Sequence, residues 1–182
     1  MQTLAYALFA TPIGHCGIAW SAAGLTGVQL PEGNATATRA RMARRFPQCQ
    51  EGEPPASVRE AMDAVVGLLS GSPPQPADLR HIVLDLDGVS AFHQRVYAAA
   101  RALQPGQTTT YGEMARDLCE PGAARAVGQA LGSNPFAPIV PCHRILAAHG
   151  RSGGFSAHGG ADTKLRLLEI ERAQIDGPGL FD

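Results

Sequence analysis

The chain has 182 residues, 45% hydrophobic and 17% charged, enough to bury a proper core as one domain or two small ones. A formal net charge of −1 carries no nucleic-acid footprint by itself, and no apolar run approaches the roughly 20 residues of a membrane span. Four cysteines at 16, 49, 119 and 142 show neither CxxC pairing nor tight metal spacing, which argues against a disulfide framework and for reduced thiols in the cytosol.

The apolar N-terminus lacks a basic leader and runs straight into Thr11-Pro12-Ile13-Gly14, against the pattern of a signal peptide. Residues 3 to 30 alternate short β-type runs with Gly and Pro, which predicts hairpins. Over 57 to 70, Ser57 and Glu60 suggest a capping box, and Val58, Met62, Val65 and Leu69 form a helical stripe that stops at Gly71. Residues 72 to 76 read as a loop, and the alternation of Ile82, Leu84 and Leu86 predicts a strand. No internal repeat is present.

A second unit is expected to begin near Asp87-Gly88. Ser90 starts a helix carrying Phe92, Val96, Ala99, Ala100 and Leu103, which Gly106 closes. Thr110 and Glu113 form a capping box for a short helix ending near Leu118, and the turn Glu120-Pro121-Gly122 leads into a second helix over 123 to 132. Helix, tight turn, helix suits a helix-turn-helix, a spacing it shares with ordinary helical hairpins. From Phe92 to Arg172 nine Lys/Arg face six Asp/Glu, a net of +3 against −4 for the rest, which permits phosphate contact.

Residues 134 to 144 read Asn-Pro-Phe-Ala-Pro-Ile-Val-Pro-Cys-His-Arg. The three prolines forbid a helix and predict a stiff extended approach to Cys142. His143 and Arg144 supply a base and a fixed positive charge, surroundings that depress a thiol pKa and raise its thiolate fraction. A nucleophilic cysteine follows as the first hypothesis. In extended chain His143 would point away from the sulfur, so a bridging water is the expected route between them. The imidazole also needs a partner on its other nitrogen, and Asp162, Glu169 and Glu171 are equal candidates from sequence. Arg144 is expected in a structural ion pair. Beyond it, a hairpin is expected over 145 to 155 with its turn at 149 to 152. Asp162 is expected to cap a last helix from Lys164 to Arg172 with Leu165, Leu168 and Ile170 partly inward, before a frayed tail from Asp176.

Pro141-Cys142-His143-Arg144, with Asn134-Pro135 before it and Gly153-Gly154-Phe155 after it, resembles the active-site segment of the O6-alkylguanine-DNA alkyltransferases, also called methylated-DNA–protein-cysteine methyltransferases. The likeness extends to Thr11-Pro12-Ile13-Gly14, Gly24-Leu25-Thr26-Gly27, Tyr111-Gly112-Glu113 and Ala124-Arg125-Ala126-Val127-Gly128. The resemblance implies a small α/β N-terminal domain, residues 1–88, followed by a mainly α C-terminal domain, 89–182, with a winged helix-turn-helix-like motif. It implies direct, irreversible transfer of the alkyl group from O6-alkylguanine, and from O4-alkylthymine, in double-stranded DNA to an internal cysteine, with base flipping and no cofactor.

Residue by residue, the resemblance makes Cys142 the acceptor, His143 its base through water, and Glu171 the group that orients the histidine. Asn134 would brace the turn, and Tyr111 would help extrude the nucleotide and donate to the departing guanine. Arg125 would replace the flipped base, and Ala123, Ala124, Ala126 and Gly128 would let the helix lie close in the minor groove. Main-chain groups near Ile145 and Ser156 would meet the guanine edge. The stretch from Phe155 to Gly160 is two residues longer than the family pattern, and His158 has no family counterpart. Cys16, Cys49, His15 and His81 do not match the zinc pattern of some members, so no metal is expected; nor is a membrane, and the protein is expected to be a monomer. Two rivals stand beside this reading: a non-catalytic module of the same fold that binds alkylated bases, which would lack the acceptor cysteine, and a cysteine hydrolase, which would need an oxyanion hole and a turnover route.

Overall fold

The computed structural model describes residues 2–71, 78–151 and 153–174. The expected loop at 72–76, Ser152 of the expected turn and the tail from Asp176 lie outside the described residues. The chain divides into two compact units, one holding residues up to Val89 together with Pro135–Ile139, the other Ser90–Asn134 and the chain from Val140 onward. No helix among the described residues is long and apolar enough to cross a membrane.

In the first unit the predicted hairpins form a three-stranded antiparallel sheet, β1 (Ala5–Thr11), β2 (Gly14–Trp20) and β3 (Leu25–Gln29). The Pro12-Ile13 turn sets the register at Thr11↔Gly14, and the Thr11 hydroxyl secures it by donating to the Gly14 carbonyl at 2.6 Å. Helix α1 (Ala35–Arg45), which has no apolar stripe to announce it in the sequence, starts where the Asn34 side chain accepts from the Ala37 amide, and it buries only Thr38 and Met42. Helix α2 (Ala56–Ser70) ends at the expected Gly71. Its expected capping box is absent, because the cap lies two residues earlier, at Pro55, which leaves Ser57 inside the first turn.

The strand expected over 82–86 is reduced to one bridge, Leu84 to Leu25. Turns on both sides stop it: the Ile82 amide donates to Leu79 O, the Val89 amide to Leu86 O, and the Asp85 carboxylate caps the second turn by accepting from the Asp87 amide and the Ser21 hydroxyl. Residues 135–139 belong to this unit through the Pro135 carbonyl, which accepts from the Val28 amide at 2.8 Å and from Arg45 at 3.2 Å.

The second unit holds α3 (Ala91–Ala102), capped by Ser90 as expected, then β4 (Thr109–Thr110), α4 (Tyr111–Asp117), α5 (Ala124–Gly132), β5 (Ile145–Leu146) and α6 (Ala161–Ile170). Helices α4 and α5 pack on each other across a short turn, and the Tyr97 hydroxyl ties α3 to α5 by donating to Ala130 O at 3.0 Å. Among the described residues the hairpin expected over 145–155 does not form: the Ala147 amide donates to Arg151 O, but β5 pairs in parallel with β4. Asp162 lies in the first turn of α6 and is not its cap, because Gly159 and Gly160, both at positive φ, start the helix before it.

The capping box of α4 is complete: the Thr110 hydroxyl accepts from the Glu113 amide and the Glu113 carboxylate accepts from the Thr110 amide at 2.9 Å. It fixes the backbone of Tyr111, the first residue of the helix. Thr110→Ala should therefore lower stability by about 1 kcal/mol, read from urea unfolding; an unchanged midpoint would show that the cap does not hold this helix start.

Candidate active site

Pro141 ends the proline-rich stretch, and the chain then makes a single 3₁₀ turn over Cys142–Arg144. The approach is a series of turns instead of the extended segment the prolines suggested: the Cys142 amide donates to Val140 O and the Arg144 amide to Pro141 O, both at 2.9 Å. The Asn134 side chain, just past the end of α5, donates to Val140 O at 2.8 Å, and so bridges the two ends of the 135–139 excursion next to the cysteine. It also hydrogen-bonds the Cys142 sulfur. The turn removes the alternation of an extended chain and drives His143 fully inward, while Cys142 keeps 6% of its surface exposed.

Behind the turn stands Glu171, at the C-terminal end of α6. Its carboxylate is shared by His143 Nε2 at 2.7 Å, by Arg144 through Nε at 2.9 Å and a second nitrogen at 2.8 Å, and by the Gly106 amide at 3.2 Å. Gly106 is required there: its φ is +86°, and a Cβ would stand 3.0 Å from the Glu171 carbonyl oxygen. Burial alone would push the Glu171 carboxyl up, but the His143 and Arg144 contacts outweigh it and hold the group down to about 2. Of the three acids open to the sequence, Glu171 is the one on the histidine; Asp162 and Glu169 are exposed. Arg144 is a structural ion pair, completed by its donation to Leu103 O at 2.6 Å.

Burial also lowers the His143 pKa, against the opposing pull of Glu171, so the ring is a neutral imidazole at neutral pH. An ionised Glu171 only accepts, which places the ring proton on Nε2 and leaves Nδ1 as the basic nitrogen. Nδ1 is buried with no partner among the described residues. The expectation that His143 and Arg144 depress the Cys142 pKa is overturned: the histidine is neutral, the guanidinium is spent on Glu171, and burial pushes the thiol up. What opposes that rise is the Asn134 hydrogen bond, the charge of Lys164, a residue the sequence reading passed over, and backbone hydrogen bonds of Cys142 and His143.

Cys142 opens on a cavity of about 400 Å³ lined by Tyr111, Gly128, Leu131, Gly132, Gly154, Phe155 and Ser156. The Tyr111 ring lies 3.9 Å from where a Gly128 Cβ would stand, and its hydroxyl 3.1 Å from where a Gly153 Cβ would stand, so small residues on two sides make its place. Burial and the neighbouring Cys142 raise the phenol pKa, keeping Tyr111 a proton donor. Ser156 lines the cavity and is exposed. Ile145 is fully buried, with its amide donating to Cys142 O and its carbonyl accepting from Lys164. Arg125 is exposed near the start of α5 with no hydrogen-bond or ion-pair partner among the described residues, and Ala123, Ala124 and Ala126 beside it are half-buried. Among the described residues no cluster of His, Cys, Asp and Glu has the form of a metal site.

The family described as 6-O-methylguanine DNA methyltransferase, DNA binding domain, matches residues 91–173, which hold every one of these side chains. A relative from Methanothermobacter thermautotrophicus named methylated-DNA–protein-cysteine methyltransferase is 30% identical over 91% of this chain and 84% of its own. The chain belongs to this family. A Mycolicibacterium paratuberculosis methyltransferase of the same name is 50% identical over 50% of this chain, and that match spans 53% of the relative's length. Mycobacterium tuberculosis OGT, solved in complex with DNA, superposes with a TM-score of 0.69 at 33% identity, over 95% of this chain and 97% of that one.

Two site residues of this methyltransferase-family chain escaped sequence reasoning. Lys164 carried a signal: Lys164, Leu167, Leu168 and Glu171 fall at i, i+3, i+4 and i+7, so the buried face of α6 begins and ends with a charge. Gly106 read as a helix stop, whereas α3 ends at Ala102 and the glycine serves the carboxylate.

The depressed Glu171 pKa fixes the sign of an acid effect. Its stabilisation is fully present above about pH 4.5, the ordinary value, and is lost as pH falls through about 2. Glu171→Ala should cost about 3–5 kcal/mol at pH 7, because Arg144 and His143 lose a buried acceptor, and should flatten the stability curve between those pH values. Urea unfolding from pH 7 to pH 2 reads both; a variant as stable as the wild type with the same acid slope would refute the role given to the carboxylate.

Proposed function

We propose that this protein repairs DNA by moving the alkyl group of O6-alkylguanine, and of O4-alkylthymine, from duplex DNA onto Cys142 in one irreversible turnover. The observation that carries the reading is a cysteine at the floor of a cavity, backed by a neutral histidine whose far nitrogen is locked on a buried carboxylate. The presence of Cys142 separates this reading from a non-catalytic module that binds alkylated bases.

The chemistry follows from the atoms. The Cys142 proton passes through a water to His143 Nδ1, and Glu171 compensates the imidazolium that forms. The thiolate attacks the alkyl carbon, the C–O6 bond breaks, and its electron pair goes to the guanine. The Tyr111 hydroxyl, kept protonated, donates a hydrogen bond to the base as that charge develops, and the base takes its proton from water. No cofactor takes part, and the thioether has no leaving group that would regenerate the thiol.

The damaged nucleotide must leave the duplex to reach the cavity. The α4–turn–α5 pair serves as the helix-turn-helix of a DNA-binding domain spanning 89–182, with α5 in the minor groove. Ala123, Ala124, Ala126 and Gly128 allow the close approach, and unpaired Arg125 fills the space left in the stack. Asn134 holds the turn, and main-chain groups at Ile145 and Ser156 border the guanine edge. The protein acts as a cytoplasmic monomer.

Cys142→Ser should abolish alkyl transfer while sparing duplex binding, because a hydroxyl near neutral pH is almost wholly protonated; transfer that persists would take the acceptor role from Cys142. Arg125→Ala should slow repair of O6-methylguanine in duplex DNA at least tenfold more than reaction with free O6-benzylguanine, by roughly the few kcal/mol of unstacking it offsets. Equal losses on both substrates in single-turnover assays would make Arg125 structural.

A further inference from the structure

Arg45, the last residue of α1, is half-buried, and its guanidinium is held by the oxygens of neutral groups. One terminal nitrogen donates to Val28 O at 2.9 Å and to Gln29 Oε1 at 3.1 Å, and the other to Pro135 O at 3.2 Å. Among the described residues no carboxylate lies within ion-pair distance of it. Burial and the neighbouring Arg41 pull its pKa down to about 10, so the charge persists at neutral pH. The place for it is made by Gly27 in β3, where a Cβ would stand 2.8 Å from an Arg45 nitrogen and 2.8 Å from the Phe46 ring. Gly27 closes the Gly24–Gly27 stretch that carries part of the family likeness, and no step of alkyl transfer uses it. The Pro135 carbonyl also accepts from the Val28 amide at 2.8 Å. Strand β3 is an edge strand of the sheet, and Val28 turns both its amide and its carbonyl to the open side, one to Pro135 and the other to Arg45.

What the Pro135 oxygen controls is the residue before it. The proline ring fixes its own φ, and a residue that precedes proline is confined to extended backbone, so anchoring Pro135 leaves Asn134 little freedom. The Asn134 amide is engaged by Leu131 O at 3.2 Å, and its side chain donates to Val140 O at 2.8 Å and hydrogen-bonds the Cys142 sulfur. We propose that Arg45 is a positioning residue of the alkyl-acceptor site: with the Val28 amide it clamps the Pro135 carbonyl to the edge of β3, and so sets the Asn134 side chain from which the turn carrying Cys142 hangs. This rests on the reading of Cys142 as the alkyl acceptor. Arg45 acts through Asn134, and the transferred group and its electron pair never pass through it. A guanidinium suits the task because its planar fork serves the Val28 and Pro135 carbonyls and the Gln29 amide oxygen at once, whereas a lysine presents a single compact head.

The test is the pH dependence of Cys142 alkylation by iodoacetamide, a neutral reagent that needs neither DNA nor an alkylated base, followed by mass spectrometry of the Cys142 peptide. Arg45→Met should raise the midpoint by at least about half a pH unit, about a threefold loss of rate below it, and Arg45→Lys should raise it by less. In an Asn134→Ala background Arg45→Met should add no further shift, because the residue through which it acts is gone. A variant that loses stability to urea but keeps the wild-type midpoint would make Arg45 merely structural and overturn the proposal, as would shifts that add in the double variant. If Arg45→Met fails to fold, Gly27→Ala decides: its methyl group displaces the guanidinium without removing the charge, the midpoint should rise in the same direction, and an unmoved midpoint would overturn the proposal equally. Transfer from an O6-methylguanine duplex is measured in parallel. A shifted iodoacetamide midpoint in a family of variants whose wild type transfers nothing would reject the repair reading and leave the clamp standing.

Discussion

The Glu171 carboxylate is the constraint on which the site depends. It sits at the end of α6, buried, and accepts from the 3₁₀ turn through His143 and Arg144 and from the loop after α3 through Gly106. A carboxylate in that environment is tolerable only when each oxygen is fully engaged, so the three segments are held to one geometry. The geometry in turn dictates a tautomer, and the tautomer dictates which imidazole nitrogen is basic. Arg144, which in the sequence reads as an activator of its neighbour, instead joins His143 in keeping Glu171 ionised.

Around this hub two opposing electrostatic demands are met. The cysteine must be removed from bulk water to meet a base in a cavity, and that removal works against the thiolate. Nearby protein groups partly reverse it: the Asn134 hydrogen bond, the buried ammonium of Lys164 and backbone hydrogen bonds of Cys142 and His143. Cys16 makes the contrast within the same chain. It is also buried, it has only a weak contact to a Thr11 hydroxyl, and its thiol is pushed up to about 12. Burial alone makes a cysteine inert, and the polar company of Cys142 sets it apart.

The legible part of the fold was the part written in local signals. The hairpins of the first unit, Ser90 at the start of α3, the Thr110–Glu113 box and Gly71 as a helix stop are each decided by residues a few positions apart, and they form as read. What failed was decided by distant partners. The 82–86 alternation has the period of a strand, but the Ser21–Asp85 contact and the flanking turns leave one bridge of it. Residues 145–146 pair with Thr109–Thr110, some 36 positions earlier, and no hairpin signal encodes that choice. Helix α1 had no apolar stripe to reveal it, since it buries only a threonine and a methionine. In the site the same division holds. Cys142 and His143 stand out by type and adjacency, whereas the selection of Glu171 over Asp162 and Glu169 needed either the family pattern or the tertiary fold. The contribution of Lys164 is a tertiary fact, visible in the sequence only as a charge at the edge of a helical stripe.

The central claim is that Cys142 receives the alkyl group once and keeps it. A thioether at neutral pH has no leaving group and is not reversed by thiol exchange as a disulfide is. Mixing the protein with an excess of duplex containing O6-methylguanine and following both demethylated DNA and intact-protein mass tests this directly. The account predicts a repair amplitude equal to the protein concentration and an increment of about 14 Da, one methylene, confined to the Cys142 peptide. An amplitude that exceeds the protein concentration, or a methyl group found on Cys16, Cys49 or Cys119, would contradict it.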